Sequence, residues 1–174
     1  MSNHKTITDL IKAYASVYQE FETIQHSEIL PKGDQKTGVI GEYYAKKHIE
    51  SLSNSELIEY AKSGKKYDIK YVDSKTKSKI KVQVKCVSAH SNTKTIAPLN
   101  MGTGAFDKLY LIALDENFIP VGFYINEFDD LKGRLKKDQL WIRGSKMKHV
   151  GENGSRVYDF SNNRIDELLN ALDK

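Results

Sequence analysis

The chain has 174 residues, 39% hydrophobic and 29% charged, which is enough for one domain with a buried core and too few for two ordinary ones. A net charge of +4 permits a polyanionic partner without requiring one, and no apolar run approaches the ~20 residues that a membrane helix needs. The single cysteine, Cys86, excludes an intramolecular disulfide, and the polar start Met1-Ser2-Asn3-His4-Lys5 lacks a secretory core, so a cytoplasmic protein is expected.

Ile7, Leu10, Ile11, Tyr14, Val17, Tyr18 and Phe21 recur at three and four residues after a cap at Thr6, which predicts an amphipathic helix over residues 6–24. Such a helix serves as a cover for the core or as a dimerisation face. Pro31, Gly33 and Asp34 predict a loop from His26 to Lys36, and a second helix follows from about Thr37 to Leu52. Within it Val39, Glu42, Ala45 and Ile49 share one side, which sets a carboxylate among apolar groups that should face the core. That Glu is either snorkelling at the edge of the stripe or waiting for a functional partner. Gly38 and Gly41, each costing ~1 kcal/mol relative to Ala in a helix, imply close approach to another element.

Leu57–Ala61 reads as a short helix or an edge strand that ends at Gly64. Tyr67–Val72 and Lys79–Val87 predict two strands joined by a polar turn at Asp73–Ser78. The second strand alternates, with Ile80, Val82, Val84 and Cys86 on one face and Lys81, Gln83 and Lys85 on the other. A hairpin here turns Asp68 towards Gln83 and Lys85, so that an acid, a carboxamide and an amine converge on one sheet surface. Cys86, on the apolar face, reads as a small buried hydrophobe rather than a nucleophile.

Ala89–Ala105, rich in Ser, Asn, Thr and Gly, predicts a long loop with a turn of helix. Lys108–Leu114 is nearly all apolar, as a central strand buried on both faces would be, and Ile119–Ile125 returns after the Asp115-Glu116-Asn117 turn. Asn126–Lys137 is expected to be helical, Gln139–Arg143 a short strand with Trp141, and Gly151–Gly154 a turn. Ile165, Leu168, Leu169 and Leu172 predict a C-terminal helix capped near Ser161 or Asn162. The order of elements gives an α/β or α+β sandwich, a central mixed sheet flanked by helices.

Charge is concentrated in two places. Lys62, Lys65, Lys66, Lys70, Lys75, Lys77, Lys79, Lys81 and Lys85 face only Asp68 and Asp73, and a second basic cluster runs from Lys132 to Lys148. There is no Lys-Ser or Lys-Thr phosphate loop, and Gly102-Thr103-Gly104 lacks the third glycine of a dinucleotide site. His4, His26, His48, His90 and His149 lack the spacing of zinc ligands, and of these only His90, just after the central strand, draws interest.

What remains is Glu42, Asp68, Gln83 and Lys85. Gly41-Glu42-Tyr43-Tyr44-Ala45, Lys66-Tyr67-Asp68 and Gln83-Val84-Lys85 together resemble the motif pieces of the PD-(D/E)XK nuclease superfamily, the fold of many restriction endonucleases. Phe106-Asp107-Lys108-Leu109-Tyr110 also resembles that group's restriction-enzyme-like bacterial members, and the resemblance covers residues 37–125. It implies an α/β fold with a restriction-endonuclease-like central mixed β-sheet. It also implies one nuclease domain over 1–174: the helix at 6–24, a core at about 37–126, and a basic segment and helix over 127–174. The chain departs from the pattern in two ways: no proline precedes Asp68, and Gln83 stands where an ionised Glu or Asp is usual. A neutral amide removes one negative charge from a metal cage, and Glu42 is the candidate to compensate.

The function implied by the resemblance is a Mg2+-dependent DNA endonuclease of the type II restriction kind, with Mn2+ able to substitute. Asp68, Gln83, Lys85 and Glu42 would be catalytic, and Glu42, Asp68, Gln83 and the Val84 carbonyl would hold the metal. Lys70, Lys81, Lys136, Lys137, Lys146 and Lys148 would engage the nucleic-acid backbone, with His90, Asn92 and Lys94 in the long loop. The expected partners are double-stranded DNA, a second copy in a homodimer, and a DNA methyltransferase from a neighbouring gene. Three alternatives stay open: a repair, recombination or transposon-associated nuclease, a non-catalytic nucleic-acid-binding protein with a degenerate nuclease fold, and an interaction domain with solvated lysine-rich strands.

Overall fold

Strand β5 (Lys108–Leu114) lies inside the sheet and is buried along six of its seven residues, as its apolar run requires. Tyr110, Ile112 and Leu114 enter one apolar cluster, and Leu109, Leu111 and Ala113 enter a second on the opposite face. The computed structural model describes residues 2–25, 36–62, 65–90, 95–96, 105–131, 138–143, 146–151 and 162–173. Around β5 stand β1 (Ser55–Tyr60), β2 (Ile69–Asp73), β3 (Lys79–Ser88) and β6 (Pro120–Glu127), in the order β1-β2-β3-β5-β6. β3 and β5 are parallel and the other pairs antiparallel, so the sheet is mixed. A second sheet joins β4 (Thr95–Ile96), β7 (Asp138–Arg143) and β8 (Lys146–Gly151).

Three helices border the larger cluster: α1 (Ser2–Gln25), α2 (Lys36–Ser51) and α4 (Ile165–Leu172). Helix α1 begins before Thr6, so Thr6 is an interior residue and not the cap. Its buried positions are Ala15 and Tyr18, whereas Leu10 and Val17, expected on the inner stripe, are exposed. The helix is anchored at the β5–β6 turn. There Phe118, fully buried at a φ of 56°, stacks with Tyr14 and takes an edge contact from Tyr18. A β-carbon residue at positive φ is costly, and this one is held from a second side by the Tyr44 hydroxyl, which donates to the Phe118 carbonyl at 3.0 Å.

Several sequence expectations are corrected. Val39 is 63% exposed; the inner face of α2 is Ile40, Gly41, Tyr44, Ala45, His48 and Ile49. Ala45 and Ile49 are buried as expected, but the stripe runs on through Ile40, Gly41 and His48 and not Val39, because small and polar residues face inward there. Leu57–Tyr60 is an edge strand, bulged between Glu56 and Glu59. Within the helix expected over Asn126–Lys137, Asn126 and Glu127 instead extend β6 by pairing with Leu109 and Lys108, Phe128–Leu131 forms α3, and residues 132–137 lie outside the described residues. Helix α4 starts after Arg164, with no side-chain cap, and it buries Leu168 and Ala171 while Leu169 is exposed. The loop at residues 26–35 and most of Ala89–Ala105 lie outside the described residues, although Thr95–Ile96 forms a short strand there. Among the described residues no helix is long and apolar enough to cross a membrane.

Candidate active site

The site forms where two paired strands part. β2 and β3 run in register from Val72 opposite Lys79 to Ile69 opposite Val82. One step further the same register sets Asp68 opposite Gln83, on the face that also carries Lys85. There the backbone ladder gives way to a side chain: the Val84 amide donates to Asp68 Oδ2 at 2.7 Å, where a β2 carbonyl would otherwise stand. The Gln83 amide nitrogen also donates to Asp68 Oδ2, and it reaches the Val84 carbonyl at 3.3 Å. Asp68 is itself fixed by its backbone, with its amide on the Val82 carbonyl and its carbonyl taking the Ala61 amide, both at 2.8 Å. The convergence expected from strand alternation is therefore present in three of its members.

Glu42 arrives from the helix layer, and a glycine brings it there. A Cβ on Gly41 would lie 2.5 Å from Cys86 Cβ and 2.9 Å from its Sγ, so α2 approaches β3 as closely as it does only because residue 41 has no side chain. Gly38 is different, with nothing within 4 Å of a Cβ there, so the close approach expected of both glycines holds for Gly41 alone. Cys86 is half-buried under this contact and packs against the main cluster, in keeping with its structural reading.

Electrostatics tie the four residues together. Glu42 is half-buried, and its carboxyl is held above the ordinary range by burial first and by the neighbouring charge of Asp68 second, with Lys85 pulling the other way. Asp68 is likewise raised by burial, against the Val84 amide, Lys85 and Gln83, which favour its ionised form. Glu42 and Asp68 therefore lie close enough to feel each other's neighbourhood, each partly buried and each within the field of Lys85.

Among the described residues no group of three or more His, Cys, Asp and Glu side chains is placed to hold a metal. The donors that Glu42, Asp68, Gln83 and Val84 could present are two carboxylates, one carboxamide and one backbone carbonyl. An all-oxygen set fits a hard divalent ion such as Mg2+ and not a zinc-type centre. For Gln83 to contribute oxygen, its amide must turn over, exchanging the Nε2 that now faces Asp68 for Oε1.

One residue that alternation does not reveal holds the strand carrying Gln83 and Lys85. Asp107 accepts the Lys81 amide on Oδ2 at 2.7 Å and donates its own amide to the Lys81 carbonyl at 2.8 Å, which sets β3 against β5 two residues before Gln83. The Phe106-Asp107 stretch was noted as a motif, but the role of the carboxylate depends on a parallel pairing that sequence does not show.

The positions expected to contact nucleic acid fare differently. Lys70 is on β2 and pairs with Glu59 at 2.9 Å, and Lys81 lies with its amine 6.0 Å from the Tyr67 ring centre. His90 has its Nε2 2.8 Å from the Glu116 carbonyl and packs its ring against Tyr18 and Phe118, so it also fastens α1 to the β5–β6 turn. Asn92, Lys94, Lys136 and Lys137 lie outside the described residues, as do the side chains of Lys146 and Lys148, whose backbone forms β8 opposite Arg143 and Trp141. A scan against protein-family models finds no match, and a search of curated proteins finds none either.

Proposed function

We propose that this protein is a metal-dependent nuclease of the restriction-endonuclease-like PD-(D/E)XK kind, acting on DNA. The observation that supports this most is the meeting of Glu42, Asp68, Gln83 and Lys85 at the point where β2 leaves β3, with both carboxylates raised by burial and Glu42 raised further by the charge of Asp68. Mg2+, or Mn2+ in its place, would be held by Glu42, Asp68, the Gln83 carboxamide oxygen and the Val84 carbonyl. When bound, it would polarise the scissile phosphate and lower the pKa of the attacking water. Lys85 sits beside both carboxylates, where its ammonium orients that water and offsets charge developing on the phosphorane oxygens. Asp68 is held by two amide donors, so its carboxylate is positioned before substrate arrives.

The lysines of the β2–β3 hairpin and the Lys132–Lys148 stretch supply the field for a phosphodiester backbone. A chain with one such site cuts both strands of a duplex most simply as a two-fold homodimer, and a restriction role would pair it with a DNA methyltransferase from a neighbouring gene.

One observation favours a second reading, a nucleic-acid-binding protein that has lost catalysis. The Gln83 amide nitrogen occupies the Asp68 oxygen and the Val84 carbonyl that a cation would need. Incubation of supercoiled plasmid with the protein in Mg2+, in Ca2+ and in EDTA separates the two. Cleavage in Mg2+ alone supports the nuclease, and retarded mobility in Ca2+ without cleavage in Mg2+ or Mn2+ supports the binding protein.

A further inference from the structure

A groove of about 350 Å³ runs between α1 and α2 and ends at Glu42. Ile7 and Ile11 form its wall on α1, and Val39 and Ile40 form the wall on α2. At the Glu42 end the lining becomes aromatic, with Tyr43 beside Glu42 on α2 and Tyr60 at the end of edge strand β1. The phenol of Tyr60 is pushed up to about 12 by burial first and then by Glu50, Glu42 and Tyr43, which places it in the field of the same carboxylate. The Lys46 ammonium lies 5.0 Å from the Tyr60 ring centre and 3.3 Å from Glu50 Oε1, so the aromatic end is flanked by an ion pair. The volume falls in the range of ~300–1,000 Å³ typical of small-ligand sites.

We propose that this groove receives an unpaired nucleobase of the strand whose phosphate lies at Glu42, Asp68 and Lys85. The inference rests on the nuclease reading and names its substrate class as a strand with at least one unstacked nucleotide next to the reacting bond. The chemistry is that of a ligand with one flat apolar part and one anionic part. Lys85 attracts the anion beside Glu42, and the aliphatic and tyrosine walls accept the flat part. The distance between the two ends is short because residue 42 belongs to both. A base inside a duplex keeps its faces stacked on its neighbours and cannot enter, so single-stranded, flapped or mismatched DNA is bound more tightly than perfect duplex. Stacking on tyrosine tolerates every base, so the groove reads strandedness and not sequence. An aliphatic groove could also hold a helix of a second copy, and the test below includes that outcome.

The experiment measures, in Ca2+, the affinity of the full chain for a labelled single-stranded 12-mer, for the same 12-mer with abasic positions, for its perfect duplex, and for the RNA of the same sequence. The expected result is that the 12-mer binds at least ~10-fold more tightly than its abasic counterpart, and that Tyr60→Leu and Val39→Glu each remove most of that difference while leaving duplex affinity within about two-fold. Both positions are exposed, at 46% and 63%, so the variants should fold, which circular dichroism checks. RNA bound as tightly as DNA would keep the base groove and remove the preference for deoxyribose. Equal binding of the base-containing and abasic strands by wild type overturns the inference without any variant. A wild-type dimer that Val39→Glu converts to monomer by light scattering, with no base dependence, assigns the groove to a second copy. The nuclease reading fails separately: if no metal supports cleavage while base dependence persists, the groove stands and the chemistry falls.

Discussion

Gly41→Ala is the substitution whose consequence the packing defines most closely. An added methyl would stand 2.5 Å from Cys86 Cβ, 2.9 Å from Sγ and 3.7 Å from a Val84 methyl. The nearest atom is bonded directly to the β3 backbone and cannot swing aside, so helix and strand must separate. Overpacking of this kind costs ~1–3 kcal/mol, while replacing a helical glycine by alanine returns up to ~1 kcal/mol. The net is a destabilisation of up to about 2 kcal/mol, or a loss in Tm of up to about 8 °C for a domain of this size. Gly38→Ala is the internal control. Nothing lies within 4 Å of its Cβ, so only the helix term remains, and the variant should be stabilised by ~0.5–1 kcal/mol. Urea denaturation of the two variants beside wild type reads both signs. A Gly41→Ala protein as stable as Gly38→Ala would refute the contact between α2 and β3, and with it the route by which Glu42 reaches the strand pair. If cleavage is measured too, displacement of Glu42 by about an ångström should cost on the order of 100-fold in rate.

Four further outcomes are expected. Gln83→Glu should move activity to lower Mg2+ concentration, because a carboxylate replaces an amide that now faces Asp68 with its nitrogen; a metal titration that shifts the other way would remove Gln83 from the site. Lys70→Ala should leave stability close to wild type, since its ion pair with Glu59 is open to solvent, and a clear loss in denaturant midpoint would contradict that. Burial holds His48 below its ordinary pKa with Glu167 3.6 Å away, so the unfolded chain binds its proton more readily. Stability from this residue is then full above about 6.5 and falls as pH drops below it; Cm values at pH 7.5 and 5 should differ more for wild type than for His48→Gln. Neutralising Lys136, Lys137, Lys146 and Lys148 together should weaken DNA binding for all sequences and flatten its salt slope by roughly one unit per lost contact, and an unchanged slope would move the DNA to the β2–β3 hairpin.

The fold was most legible where one period ruled. β3 alternates strictly and β5 is apolar after Lys108, and both were read from sequence nearly to their ends, along with the turn between β2 and β3. That turn is set by Asp73, whose Oδ1 accepts the amides of Lys75 and Thr76 at 2.9 Å each, a local chemistry that sequence carries. The helices were misread where small or polar residues face inward. Gly41 and His48 do not register as apolar, yet one is the contact with β3 and the other is 1% exposed against Tyr110 and Phe123. The site was legible in the same uneven way. Asp68, Gln83 and Lys85 follow from the pleat of one hairpin, and Glu42 stands out as an acid on the apolar side of its helix, whereas the role of Asp107 and the Tyr43–Tyr60 end of the groove depend on contacts between residues far apart in the chain, which no local pattern encodes.

The account's central claim is that Asp68 and Lys85 act on the same phosphodiester bond, and single-turnover cleavage with enzyme in excess over DNA tests it most directly. With Mg2+ present, Asp68→Ala and Lys85→Ala should each lower the rate constant at least ~100-fold while far-ultraviolet circular dichroism and DNA affinity in Ca2+ stay close to wild type. Either variant cutting at the wild-type rate would contradict the claim and place the chemistry elsewhere on the molecule.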